Sequence, residues 1–135
     1  MSYKIEEVEG IGPKYAEKLG EVKIKNTDDL LKLCCDKKGR KAVSEETGIS
    51  EKHLLEWANL ADLMRIKGVG EEYADLLEEA GVDTVKELAT RNAENLAEAM
   101  EKTNAKKNLT NAVPSAKTVQ KWIDEAGKMK PLISH

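Results

Sequence analysis

The sequence predicts an all-α protein in which one helical unit is used twice and packed into a single compact body. Three observations carry this prediction. The 135 residues hold no Phe, only three Pro and nine Gly, and are rich in Lys, Glu, Ala and Leu, residues that give up little on entering a helix. The stretch Val8–Leu19, VEGIGPKYAEKL, returns as Ile66–Leu77, IKGVGEEYADLL. The likeness then runs on: Tyr15 pairs with Tyr73, Leu19 with Leu77, Ile24 with Val82 and Leu30 with Leu88, and in a shifted register Ser50 pairs with Ser115, Trp57 with Trp122, Ala61 with Ala126 and Met64 with Met129. The repeat is therefore a unit of about 60 residues, spanning 1–64 and 65–135, with an insertion around Lys106 to Asn111 in the second copy.

Each element has a local reason. Ile5 and Val8 stand at helical spacing, which predicts a helix of about two turns over Ser2 to Val8. Gly10 and Gly12 then mark a tight corner, and Pro13 suits the first position of a helix running to about Gly20, with Tyr15, Leu19 and Val22 on one face. Asn26 or Thr27 caps the next helix, in which Asp28 and Asp29 favour the positive end of the dipole and Leu30, Leu31, Leu33 and Cys34 continue an apolar stripe. Asp36-Lys37-Lys38-Gly39 reads as a break, followed by a short helix from about Arg40 to Thr47 that stops at Gly48. Ser50 caps what should be the longest helix, Glu51 to about Arg65, whose Leu54, Trp57, Ala58, Ala61 and Met64 form an apolar face and which enters the second glycine corner. The second copy predicts helices over Glu71–Ala80, over Val85 to about Thr90 behind a Thr84 cap, over Glu94–Thr103, and over Ser115 to about Met129.

Composition limits the function classes. A net charge of −3 speaks against a general polyanion binder, whose affinity comes largely from phosphate neutralisation, so any nucleic-acid contact must be local. Cys34 and Cys35 are adjacent and poorly placed for an ordinary disulfide, and with only His53 and His135 beside them they leave too few ligands for zinc, so no metal site is expected. The chain shows neither a signal-peptide pattern nor an apolar run long enough for a membrane span, which together with the cysteines predicts a cytoplasmic protein without a membrane partner. No Cys-His or Ser-His pairing stands at a familiar spacing, and the carboxylates look spread over solvated helix faces, so no catalytic residue is predicted. Gly10-x-Gly12 lacks the third glycine and the preceding strand of a nucleotide-binding loop. Trp57 and Trp122 read as core pillars.

The motif resembles the helix-hairpin-helix: Val8, Gly10, Ile11, Gly12, Ala16 and Leu19 fill its pattern, and Ile66, Gly68, Val69, Gly70, Ala74 and Leu77 fill it again. The tandem arrangement also resembles a small bacterial family of domains of unknown function built from paired, SAM-domain-like helix-hairpin-helix units, over essentially the whole chain. What the resemblance implies is a non-catalytic clamp on the DNA backbone, in a family that often holds a monovalent cation at the hairpin carbonyls; no other cofactor is expected. Charge separates the copies. Lys14, Lys18, Lys23 and Lys25 accompany the first corner against Glu17 and Glu21, whereas Glu71, Glu72, Asp75, Glu78 and Glu79 follow the second with only Lys67 close by, so the first is the DNA candidate. Its phosphate contacts would come from Gly10, Ile11, Gly12, Lys14, Tyr15 and Lys18, without sequence specificity. Lys106, Lys107, Lys117 and Lys121 form a secondary basic patch. The alternative is a protein-protein adaptor that uses the same helices without nucleic acid, and a small enzyme is the third reading.

Overall fold

The computed structural model describes residues 2–135, and these form eight α-helices with one 3-10 turn at Ile5–Glu7. The helices are α1 Pro13–Glu21, α2 Thr27–Cys34, α3 Lys37–Thr47, α4 Glu51–Leu63, α5 Glu71–Glu79, α6 Val85–Leu88, α7 Ala93–Lys107 and α8 Ala116–Lys128. Six of the eight start behind a side-chain cap: Asn26, Asp36, Ser50, Thr84, Asn92 and Ser115 each accept a hydrogen bond from the backbone N–H three residues on. The other two, α1 and α5, start at Gly12 and Gly70, which have no side chain to offer.

Four expectations need correction. The predicted first helix is only the 3-10 turn, because Lys4 is drawn into an isolated antiparallel bridge with Asn26 that holds the segment extended. Asp36-Gly39 does not break the chain between helices: Asp36 caps α3, which starts at Lys37 and takes Gly39 inside it. Gly39 is there for space, since a Cβ would strike the carbonyl oxygen of Leu33. The longest helix is α7, with 15 residues, and not the Trp57 helix, with 13. Part of the expected insertion is extra helix, which runs to Lys107 and turns at Asn108 in a left-handed conformation.

In the first half α4 lies on α2 and α3, and α1 on α3; in the second α8 lies on α6 and α7, and α5 on α7, while α2 also packs on α3. Buried pairs match in kind, Leu19 with Leu77, Ile24 with Val82, Leu30 with Leu88 and Trp57 with Trp122, and all belong to one continuous apolar core. Left-handed positions match as well, Gly10 (φ 92°) with Gly68 (φ 90°) and Lys23 (φ 67°) with Gly81 (φ 101°). The halves meet where α4 packs on α5. There the buried Asp62 accepts from the Val85 N–H at 3.0 Å and pairs with Arg65 at 2.6 Å. The C-terminal segment returns across the first half: Arg40, itself 3% exposed, donates to the carbonyls of Cys34 and Ser134, and the Ser134 N–H donates to Cys35 O at 2.8 Å.

Candidate functional site

Gly10 holds a φ that costs little only without a Cβ, and a Cβ added there would stand 3.1 Å from Trp57 Nε1. The corner therefore folds tightly against the α4 indole, as Gly68 does against Trp122 at 3.5 Å. Within it the Ile11 N–H donates to Val8 O at 3.0 Å, so Ile11 is not an open phosphate donor and that expectation is corrected. Its side chain is buried in the core. Among the described residues, the amides of Gly12, Lys14 and Tyr15 have no intrachain acceptor, because α1 starts without a cap. Lys14 and Lys18 are exposed, one turn apart, and in no ion pair among the described residues.

The other side of the same corner is acidic. A cleft of about 360 Å³ opens between Gly10, α4 and α5, and its walls carry the carboxylates of Glu9, Glu56, Asp75, Glu78 and Glu79 beside Tyr15, His53 and Trp57. The expectation of carboxylates spread over solvated faces fails here, since tertiary packing gathers five of them from three parts of the chain. The aromatic groups are ordered against one another: His53 stacks on Trp57 at 5.6 Å with planes 10° apart, and Tyr15 meets Trp57 edge-on at 4.9 Å. Oxygens of Asp75, Glu78 and Glu79 lie within 4.8 Å of one another. Partial burial, then the neighbouring charges of Glu9 and Glu79, raises the Asp75 carboxyl above its ordinary range. Glu78 is raised by burial and then by Glu79 and Asp75. Glu71, across from the first corner, is raised by burial, by its contact with the Glu9 carboxyl and by the charges of Glu7 and Glu72.

The secondary basic patch is not one free surface. Lys107 is held by Glu79 at 2.8 Å at the rim of the acidic cleft, and this pairing raises its pKa. Lys106, Lys117 and Lys121 are exposed. In the repeat register Lys67 stands where the first copy has Glu9, and Lys121 where it has Glu56, so the matched face beside Trp122 exchanges acid for base. Tyr73 there donates its hydroxyl to Ala112 O at 2.8 Å, whereas Tyr15 has no such partner among the described residues.

Cys34 is buried, and desolvation pushes its thiol up to about 11 despite the nearby Arg40, so at neutral pH it stays protonated and unreactive. Sequence reasoning missed the cleft. Its one local signal was Asp75, Glu78 and Glu79 at i, i+3 and i+4, which fixes a shared helix face, but nothing local says that Glu9 and Glu56 meet them.

Residues 9–129 match the family model described as a domain of unknown function, DUF4332. The chain belongs to that family. No curated protein and no solved structure matches it. The family match spans both glycine corners and the Trp57 and Trp122 helices, so the cleft and the basic flank of α1 both lie almost wholly within the matched region. Among the described residues, no helix is long and apolar enough to cross a membrane.

Proposed function

We propose that this DUF4332 chain is a non-catalytic binding protein made of two tandem helix-hairpin-helix units of the SAM-like kind, 1–64 and 65–135, and that its first corner grips the phosphate backbone of DNA with low specificity. The observation that carries this reading is the start of α1. There the open amides of Gly12, Lys14 and Tyr15 meet the positive end of the helix, and the unpaired ammonium groups of Lys14 and Lys18 stand beside them. A phosphate would be confined to this lysine side, because Glu9 and the α5 carboxylates repel it from the Gly10 side. The contact area is then small and the affinity modest.

Fluorescence anisotropy with a labelled duplex at low salt tests this. Binding should weaken steeply as salt rises, and Lys14→Glu should lower affinity about tenfold or more by replacing an attraction with a repulsion. A salt-independent signal, or one that Lys14→Glu leaves unchanged, overturns the proposal. A second reading, a protein-interaction adaptor, is favoured by a different observation: five carboxylates line an aromatic-walled cleft, a charge that attracts a cationic partner and repels a polyanion.

A further inference from the structure

We propose that the hollow where α3 and α4 both begin is a binding site for a phosphate dianion, carried as free inorganic phosphate or as a small phosphomonoester. It stands apart from the DNA reading, since none of its residues belongs to the first glycine corner.

The hollow, of about 240 Å³, is lined by Lys37, Arg40, Glu51, Lys52, Leu55 and His135. Two observations meet in it. The first is a buried charge without a counter-charge. Arg40 is 3% exposed, and its guanidinium bonds to the neutral carbonyls of Cys34 at 3.0 Å and Ser134 at 2.7 Å. Among the described residues it forms no ion pair. A guanidinium keeps its proton throughout the ordinary pH range, so burial does not discharge it, and an anion brought beside it is stabilising. The second observation is the convergence of two helix starts. Lys37 and Glu51 are the first residues of α3, 11 residues long, and of α4, 13 residues long, and both line the hollow. The caps Asp36 and Ser50 take up the amides of Gly39 and His53. The amides of Lys37, Lys38, Glu51 and Lys52 are left without an intrachain acceptor among the described residues. Both positive dipole ends therefore act on the same space.

Charge and size choose the occupant. Lys37 and Lys52 are exposed and, like Arg40, in no ion pair among the described residues, and Glu51 is the only carboxylate in the wall. Three permanent cations less one carboxylate leave a charge of +2, which a dianion balances and a monoanion does not. Asp36 is engaged by the Gly39 N–H and is not part of the wall, and the His135 Nε2 faces Asp83 at 3.6 Å. The volume is below the roughly 300–1,000 Å³ of sites for larger organic ligands, so it suits a phosphate group and little beyond it.

The test uses the full chain, with two-dimensional amide NMR during titration with sodium phosphate at constant ionic strength and at a pH where the dianion predominates. The amides of Lys37, Lys38, Glu51 and Lys52 should shift along saturable curves, while those of Gly12, Lys14 and Tyr15 stay in place. Acetate, a monoanion, should bind at least about fivefold more weakly. Lys37→Gln and Lys52→Gln should each weaken phosphate binding about three- to fivefold and together about tenfold or more, whereas Glu51→Gln should tighten it about threefold. All three side chains are exposed, and a circular dichroism melt checks that the variants fold. Phenyl phosphate binding at least as tightly as the free ion supports a monoester as the source, and weaker binding supports the free ion. The proposal is overturned if phosphate moves none of the four amides, if acetate matches it in affinity, or if the double lysine variant or Glu51→Gln binds it as the parent does. Shifts confined to Gly12, Lys14 and Tyr15 overturn it as well, and leave the DNA reading standing.

Discussion

Gly10 and Gly68 occupy the same backbone conformation, yet they do not tolerate change equally. Both sit at φ near 90°, where a Cβ is strained whatever the space around it. At Gly10 the Cβ would also press on the Trp57 indole at 3.1 Å, whereas at Gly68 the Trp122 contact is an ordinary 3.5 Å. Gly10→Ala should therefore cost about 2–3 kcal/mol of unfolding free energy and Gly68→Ala about 1–2. Urea denaturation of the two variants compares them directly, and equal losses would show that the indole yields without cost. The sequence marked both glycines as corner residues from the motif alone. It could not rank them, because the ranking depends on a tryptophan nearly fifty residues away in the chain.

At the scale of an element, α5 is a helix whose acidic side chains work against its own setting. Glu71 and Glu72 in the first turn suit the dipole, but Glu71, Asp75 and Glu78 face carboxylates from elsewhere and carry raised pKa values. The sign follows from linkage. A carboxyl whose folded pKa exceeds its unfolded value contributes stability that is fully present below the ordinary carboxylate pKa, near 4, and is lost as the pH rises through the raised value. At pH 7 that contribution is gone and mutual repulsion remains. The double variant Asp75→Asn with Glu78→Gln should therefore melt at a higher temperature than the parent at pH 7, and the difference should shrink towards zero near pH 4. Thermal melts of both proteins across that range check this, and a difference independent of pH would refute it. Local spacing showed the acidic face of α5. That the face looks onto Glu9 and Glu56 follows from the packing of α4 on α5.

At the scale of the whole molecule, one buried carboxylate adds a polar tie to the apolar packing between the halves. Asp62 is 1% exposed and binds both Arg65 and the first amide of α6, so it joins the end of the first unit to the second. Asp62→Ala leaves the Val85 N–H unmet and the Arg65 guanidinium without its short-range partner, and should cost about 2–4 kcal/mol. Asp62→Asn keeps one acceptor and should recover about half of that loss. Chemical denaturation of the pair measures it; equal loss in both variants would mean that the charge, and not the acceptor, holds the halves together. In the first unit the matching amide, that of Thr27, bonds instead to the backbone of Tyr3 at 2.9 Å. The same helix start is thus satisfied by main chain in one copy and by a side chain in the other.

The sequence by itself determined the all-helical class and most helix starts, because caps, glycine corners and apolar spacing act within a few residues of one another. It also placed Trp57, Trp122, Leu19 and Leu77 in the core, where the 3.6-residue period puts them. Only the tertiary structure decided the rest. The Glu79 pairing that draws Lys107 out of the basic patch and the gathering of five carboxylates beside Trp57 join residues far apart in sequence. Such contacts are set by how helices pack, and no local spacing encodes them.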